Sequence, residues 1–189
     1  MSFGVLFVCT GNVCRSPLAE RYLRMRLGPG AGVSAASAGL RPLSGHPMDA
    51  ASAQALRELG GDDRDHHARA LDEAMVLAAD LVLGAAEEHR DAVLRLVPTA
   101  MHRVFTLKEF VRLGGGVSPA SPGGAPQLVA AVAGQRGLVT AVAHGSDDIA
   151  DPFGRPPEIA RAAARDIAHA VDGLLELLGA AHQVSRGSR

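Results

Sequence analysis

Tryptophan is absent from the 189 residues, tyrosine and lysine each occur once, and cysteine occurs twice. Two cysteines five positions apart do not make a disulfide scaffold, so we expect a reducing cytoplasm as the protein's location. The apolar run at the N-terminus is too short for a signal peptide and lacks a basic region before it. No apolar stretch approaches the length that crosses a bilayer, which predicts no membrane association.

An excess of charge of either sign is also missing, since 19 basic residues face 20 acidic ones. This balance gives no electrostatic reason to expect nucleic acid as a partner. Metal-ligand patterns are lacking too. Cys9 and Cys14 do not have C-x2-C spacing, and the adjacent His66 and His67 cannot both face one ion from a regular element. No Gly-Lys-Ser/Thr nucleotide loop is present. We therefore expect no metal and no cofactor.

Apolar side chains make up 47% of the chain, and strand-like and helix-like segments alternate along it. We expect a single α/β domain over residues 1–180, with a doubly wound, four-stranded parallel sheet in the order 2-1-3-4 and helices on both faces. Strands are predicted at 3–8, 33–38, 80–84 and 103–105, and helices at 17–27, 49–59, 71–78, 85–96, 107–113 and 157–178.

Two segments fall outside this alternation. Residues 114–146 predict an excursion from the domain, which begins with a flexible stretch rich in Gly, Pro and Ser over 114–126. Within it, the alanine-rich residues 127–143 predict two short helices, because Gly134 and Gly137 interrupt them. Residues 181–189 predict a disordered tail.

The sequence CTGNVCR, from Cys9 to Arg15, connects the first predicted strand to the first predicted helix. Ser16 is a good N-cap for that helix, and Pro17 suits its first position because the missing N–H has no intrahelical partner there. Unpaired N–H groups of the loop and of the first helical turn converge at such a junction, and the helix dipole favours negative charge. The junction therefore predicts an anion site, at the carboxyl end of the first strand.

A thiol opens this loop and a guanidinium closes it. Facing N–H groups and a cation, Cys9 is expected to have a pKa well below the free value of about 8.5 and to be a thiolate at neutral pH. Arg15 offers a planar fork that grips two oxygens of a phosphate. Gly11 and Asn12 accept the left-handed backbone that a curled loop requires. A nucleophile and an oxyanion clamp on one loop predict covalent phosphoryl transfer.

Residues 8–20 (VCTGNVCRSPLAE) closely resemble the signature loop of the low-molecular-weight protein tyrosine phosphatases of bacterial type. The resemblance extends over most of residues 3–113 and 147–178. It implies a redox-sensitive catalytic cysteine, Cys9, that forms a phosphocysteine intermediate while Arg15 holds the phosphate. The loop residues that it assigns to binding the phosphate and shaping the loop are Thr10, Gly11, Asn12, Val13 and Cys14.

Further roles follow from the resemblance alone. Ser16 is implied to hydrogen-bond the thiolate and to stabilise it as a leaving group, in addition to capping the helix. Ser37, at the end of the second strand, is implied to brace Asn12, and His66 to join the same network. For Cys14 two interpretations stay open. It is either a small buried apolar residue or, as the resemblance implies, a partner in a reversible disulfide with the nucleophile.

Phosphoryl transfer to a thiolate also needs an acid that protonates the departing oxygen. The loop before the last predicted helix offers Asp147, Asp148 and Asp151, and chemistry alone leaves them open. The resemblance favours Asp151, because the family keeps its general acid in an Asp-Pro-aromatic motif, which is here Asp151-Pro152-Phe153.

The expected substrate pocket is poor in aromatic side chains. We predict Phe153 on one wall, and on the other Leu40 and Leu43, with Arg41 between them. The resembled family commonly has paired tyrosines and a further large aromatic here. Possible substrates of a phosphomonoester hydrolase therefore include a phosphotyrosine protein, a small aryl phosphate, a phosphorylated metabolite and phosphoarginine.

Two rival functions use the same loop. An arsenate reductase that relays a disulfide along its own chain needs a further cysteine, and none follows Cys14. A reductase that uses an external thiol remains an alternative. A non-catalytic phosphate-binding module would lack the nucleophile or the acid, and candidates for both are present. We expect a monomer or a weak homodimer that acts on a phosphorylated substrate.

Overall fold

The computed structural model describes residues 2–28, 31–118, 124–140 and 142–187, with side chains to residue 179. Its strands are β1 (Phe3–Cys9), β2 (Val33–Gly39), β3 (Leu81–Gly84) and β4 (Val104–Thr106). Its helices are α1 (Arg15–Leu27), α2 (Ala50–Glu58), α3 (Glu73–Ala78), α4 (Glu87–Leu96), α5 (Leu107–Gly114), α6 (Ala125–Gly134) and α7 (Pro157–Gly187), with a 3-10 helix at Pro98–Arg103 before β4. None of the helices in the described ranges is both long and apolar enough to cross a membrane.

The strands form one parallel sheet in the order β2-β1-β3-β4, which confirms the predicted doubly wound fold. In this register Cys9 lies beside Gly39 of β2, and Val8 lies beside Gly84 of β3. The carboxyl ends of three strands therefore meet at one edge of the sheet. Parallel sheets bind ligands at this edge, because the loops that follow the strands converge there.

Helices cover both faces because β1 is apolar on both sides. Val5 and Phe7 belong to the larger core cluster, which includes side chains of α1, α2, α5, α6 and α7. Leu6 and Val8 belong to a smaller cluster on the other face, with side chains of α3 and α4. Alternation along a strand sends successive side chains to opposite faces, so a strand apolar at every position is buried on both. The thiol at its end is thereby anchored in the core.

The start of α1 differs from the prediction. The helix begins at Arg15, with Cys14 in the N-cap position and no side-chain capping bond. Ser16 is thus inside the helix rather than capping it, and Pro17 is its third residue. The reason is that the loop from Cys9 to Cys14 continues directly into the helix, so the first helical N–H groups have no side-chain cap. By contrast, α2 has a side-chain cap, because Asp49 accepts a hydrogen bond from the N–H of Ser52 at 3.1 Å.

The segment over residues 114–146 is more ordered than predicted. One helix, α6, replaces the two expected, and the described residues after it, 135–140 and 142–146, contain no second helix. Leu128, Val129 and Val132 of α6 are buried in the main core, because the apolar side chains of this alanine-rich stretch lie on one side of the helix. Part of the predicted flexible stretch, residues 119–123, lies outside the described residues.

The end of the chain also differs. The helical backbone of α7 continues to Gly187 instead of ending at residue 178, so most of the predicted tail is helical. No proline follows residue 157 to stop the helix, and glycine alone costs only about 1 kcal/mol relative to alanine. Residues 188 and 189 lie outside the described residues.

We expect the pair of Phe105 and Phe110 in the larger core cluster to contribute strongly to stability. Phe110 is fully buried and meets Phe105 edge to face, with ring centroids 5.2 Å apart. We expect Phe110→Ala to lower the free energy of unfolding by about 3–5 kcal/mol, measured by urea denaturation. The matched control is Phe153→Ala, whose ring is 55% exposed and which should change stability by about 0.5 kcal/mol or less. Equal losses in both variants would contradict this description of the core.

Candidate active site

The loop after β1 turns its carbonyl groups outward. Each carbonyl oxygen from residue 9 to residue 13 accepts a hydrogen bond from the surrounding protein. The donors are Leu40 N to Cys9 O (3.0 Å), Arg41 N to Thr10 O (2.9 Å), Leu43 N to Gly11 O (3.1 Å), His66 Nε2 to Asn12 O (2.7 Å) and Asp49 N to Val13 O (2.9 Å). Within the described residues, no N–H from residue 10 to residue 15 donates to a protein group. These N–H groups are thus available on the concave side of the loop, where they form an anion-binding cup.

Asn12 holds the loop from behind. Its φ of 53° lies in the left-handed region, and its side chain is completely buried. The amide nitrogen donates to Ser16 Oγ and Ser37 Oγ, both at 2.9 Å, and Oδ1 accepts from the N–H of Arg69 at 2.9 Å. Ser37 then donates to Glu20 Oε2 at 2.5 Å. Every donor of the Asn12 amide is satisfied, which offsets the cost of burying it and of its strained backbone.

Ser16 lies against the thiol. Its Oγ is 2.9 Å from Cys9 Sγ and 3.4 Å from the carbonyl oxygen of Ala38. Because Asn12 already donates to Ser16, the hydroxyl proton is free to point to the sulfur or to the carbonyl oxygen of Ala38. The hydroxyl can therefore stabilise a sulfur anion.

The second cysteine has a different environment. Cys14 is buried, and burial raises the pKa of its thiol to about 12. Cys14 is accordingly a protonated thiol at neutral pH, which makes it a poor nucleophile. Both cysteines are free in this structure.

Two buried histidines contact the loop. His66 donates from Nε2 to Asn12 O, because a carbonyl only accepts, and burial lowers the pKa of this imidazole. His89 was not singled out from the sequence. It is fully buried at the start of α4, and its Nε2 lies 2.9 Å from Thr10 Oγ1. Burial and the nearby Arg15 lower the pKa of His89 to about 4, so it holds Thr10 as a neutral imidazole.

Arg15 links the loop to the predicted acid. Its Nη2 lies 2.9 Å from Asp151 Oδ2, and its Nη1 donates to the carbonyl oxygen of Ile149 at 3.2 Å. The Arg15 side chain is 5% exposed, whereas that of Asp151 is 51% exposed. The cation is therefore fixed in the wall of the site, while the carboxylate faces the opening.

Asp147 and Asp148, the other two candidates for the acid, have structural contacts. Asp147 is buried and forms an ion pair with Arg112 at 2.7 Å, and Thr106 Oγ1 donates to its carbonyl oxygen at 3.2 Å. Asp148 Oδ1 accepts from the N–H of Glu87 at 2.8 Å, at the start of α4. These contacts hold the segment that leads to Asp151 against the ends of β3 and β4. They join residues far apart in sequence, which no local pattern reveals.

A pocket of about 160 Å³ opens over the loop. It is lined by Cys9, Thr10, Gly11, Val13, Cys14, Arg15, Arg41, Leu43, Asp151 and Phe153. Asn12, Ser16, Ser37 and His66 lie behind the loop. Leu40 is not on the pocket wall as predicted. It packs against the smaller core cluster, because the chain bends at residues 40 and 41 and brings Arg41, rather than Leu40, to the pocket. Among the described residues, no group of three or more His, Cys, Asp or Glu could hold a metal ion.

The fold and the loop together define a class of protein, the cysteine-based phosphatases, in which a thiol and an arginine share one anion-binding loop. A family model described as low molecular weight phosphotyrosine protein phosphatase matches residues 4–116. The chain belongs to this family, which confirms the resemblance found in the sequence.

Individual relatives match to different extents. A protein-arginine-phosphatase of Geobacillus stearothermophilus is 32% identical over 94% of this chain and 97% of its own. The low molecular weight protein-tyrosine-phosphatase Etp of Escherichia coli K12 is 42% identical over 50% of this chain and 62% of its own. The crystal structure of a low molecular weight protein tyrosine phosphatase from T. tengcongensis is 32% identical and has a TM-score of 0.71, covering 93% of this chain and 99% of that chain.

The buried His89 predicts a pH dependence of stability. Its pKa is about 4 in the folded protein and about 6.5 when unfolded, so between these values the unfolded chain binds a proton that the folded chain rejects. The free energy of unfolding should fall as the pH falls through this window, by up to about 3 kcal/mol from this residue. In urea denaturation at pH 7 and pH 4.5, His89→Gln should lose less stability on acidification than the native protein. The exposed His169→Gln serves as the control and should behave like the native protein.

Proposed function

We propose that this protein hydrolyses phosphate monoesters through a phosphocysteine on Cys9. The observation that carries the proposal is the position of the Cys9 sulfur in a cup of unpaired N–H groups closed by Arg15. The Cys9 thiolate attacks phosphorus, forming the S–P bond while the bond from phosphorus to the leaving oxygen breaks. The loop N–H groups and the guanidinium bind the three equatorial oxygens, where charge develops in the transition state.

Two side chains complete the proposed cycle. Asp151, at the opening of the pocket, donates a proton to the leaving oxygen and then accepts one from the water that cleaves the S–P bond. Ser16 donates to the sulfur at 2.9 Å and so stabilises the thiolate when it departs from phosphorus. Thr10 and Val13 shape the cup, and Ser37 and His66 keep Asn12 in its left-handed conformation.

Phosphoarginine is the second candidate substrate. The similarity to a protein-arginine-phosphatase spans 94% of the chain, whereas the similarity to Etp spans half of it. Phe153 is the one aromatic residue in the pocket lining, which also includes the apolar Leu43. The test uses two peptides of the same sequence, one with phosphotyrosine and one with phosphoarginine. The peptide with the higher kcat/KM identifies the preferred phosphorylated residue.

The proposal also covers the cellular location and the oligomeric state of the protein. Two free thiols, one of them the nucleophile, fit a reducing cytoplasm, where thiols stay reduced. We propose a monomer or a weak homodimer, since this chain itself supplies the thiol, the guanidinium and the candidate acid of the pocket.

Substitution of the nucleophile separates binding from chemistry. In Cys9→Ser the N–H cup and Arg15 are retained, but a hydroxyl is a far weaker nucleophile at neutral pH. We expect turnover of p-nitrophenyl phosphate to fall by at least about 10⁴-fold, while phosphate still binds in isothermal titration calorimetry. The control is Cys14→Ser, which should keep measurable turnover. Substantial turnover by Cys9→Ser would overturn the assignment of the nucleophile.

Removal of the acid should depend on the leaving group. Asp151→Ala removes the proton donor, so phenyl phosphate, whose phenoxide is a poor leaving group, should be hydrolysed about 10²–10⁴-fold more slowly. p-Nitrophenyl phosphate needs little protonation and should lose much less. The measurement is kcat/KM for both esters in the variant and the native protein, because this ratio reports the formation of the phosphocysteine, the step in which the two leaving groups differ. An equal loss for both esters would remove Asp151 from the role of acid.

A further inference from the structure

The rim of the pocket carries a second arginine. Arg41 lines the same pocket as Cys9 and Arg15, and it is exposed. Its backbone N–H donates to the carbonyl oxygen of Thr10 at 2.9 Å, so its position in the chain is tied to the phosphate loop itself. The backbone of Arg41 is therefore fixed relative to the Cys9 thiol, although the Arg41 guanidinium is exposed.

The two guanidinium groups of the pocket differ in their partners. Arg15 is paired with Asp151 and with the carbonyl oxygen of Ile149. Asp151 is the one acidic residue of the pocket lining, and no carboxylate of the described residues forms an ion pair with Arg41. When a phosphate occupies the cup it contacts Arg15. Arg41 then remains as a cation without a protein partner at the edge of a filled pocket.

This lack of a partner sets Arg41 apart from most arginines in the described part of the chain. Many of them pair with a carboxylate, namely Arg24, Arg26, Arg57, Arg64, Arg90, Arg112, Arg136 and Arg161. Others donate to backbone carbonyls, as Arg69 does to Ser37 O at 2.9 Å. A free guanidinium beside a concave site raises the local concentration of anions and can bind one in a planar, bidentate manner.

We propose that Arg41 forms a second anion subsite, which binds a carboxylate flanking the phosphorylated residue of a peptide substrate. This inference rests on the proposed phosphatase activity and specifies its substrate class. The planar fork of arginine matches a carboxylate. Leu43 and Phe153 offer apolar surface to the side chain that carries the phosphate, between the cup and the rim. The protein thus prefers phosphorylated sites with an acidic neighbour.

The test uses pairs of phosphopeptides that are identical except for Glu or the isosteric Gln directly before or directly after the phosphorylated residue. Both phosphotyrosine and phosphoarginine series are measured, with kcat/KM as the readout. For the native protein we expect the Glu peptide to be favoured about fivefold at one of the two positions, as for an ion pair at the upper end of exposed pairs. Raising the salt from about 0.05 M to about 0.5 M should reduce this ratio, because salt screens exposed charges.

Substitutions at Arg41 then identify the source of the preference. Arg41→Ala should bring the Glu-to-Gln ratio to about one, Arg41→Glu should reverse the preference, and Arg41→Lys should keep part of it. Arg95→Ala removes the same charge from the last turn of α4, where Arg95 is exposed, and should leave the ratio as in the native protein.

The outcomes separate this inference from the proposed function. A ratio of one at both positions in the native protein, or a ratio that Arg41→Ala does not change, overturns the subsite. If that happens while p-nitrophenyl phosphate is still hydrolysed, the phosphatase proposal stands alone. Failure of the native protein to hydrolyse any of these phosphate compounds overturns both.

Discussion

The shape of the site depends on a buried carboxylate at the far end of a hydrogen-bond chain. Glu20 only accepts hydrogen bonds when ionised, so the Ser37 hydroxyl must donate to it and has only lone pairs left for Asn12. The Asn12 amide group therefore donates to both Ser37 and Ser16, and the Ser16 proton remains for the Cys9 sulfur or for the carbonyl oxygen of Ala38. The charge of Glu20 thus sets the direction of the hydrogen bonds through Ser37. Arg24, whose Nη2 lies 2.8 Å from Glu20, stabilises that charge in its buried position.

The parallel sheet supplies the close packing that this chain of bonds requires. A Cβ on Gly39 would lie 2.7 Å from Thr10 O, closer than real Cβ contacts, and 3.0 Å from Asn12 N, which is also a tight contact. Gly84 of β3 is in a similar position, since its Cβ would lie 2.9 Å from the N–H nitrogen of Arg90. Both glycines end strands adjacent to β1. The loop can therefore lie directly on the strand ends, and α4 can bring His89 to Thr10.

Local sequence predicted the parts of this site that local chemistry determines. The strand, the loop and the helix around Cys9 follow from residue types within a short stretch, and the parallel, doubly wound sheet follows from the alternation of elements. The contacts of Ser37 and His66 with Asn12 were expected only from the family resemblance, because each crosses a long stretch of chain. His89 gave no signal, since a histidine in a polar helix start resembles a surface residue. The prediction for Leu40 was wrong because residue type alone does not tell how the chain bends after β2.

Hydroxyl side chains and glycines account for the errors at helix ends. Serine before proline is a strong capping signal, but the hydroxyl of Ser16 serves the sulfur and the asparagine instead. The last helix, α7, continues through Gly179, just after the residue where the prediction ended it, whereas α6 does end at Gly134, the first of the two predicted interruptions. At Ser16, tertiary contacts outweigh a local capping preference worth about 1 kcal/mol.

Arg15 connects binding with proton transfer in the proposed reaction. In this structure its guanidinium is shared between the carboxylate of Asp151 and the carbonyl oxygen of Ile149. Phosphate oxygens in the cup compete with the carboxylate for the same N–H groups, while the carbonyl bond to Ile149 keeps the acid loop attached. In the proposed reaction, substrate binding would therefore release the Asp151 carboxyl group from Arg15 at the opening of the pocket, where the leaving oxygen departs.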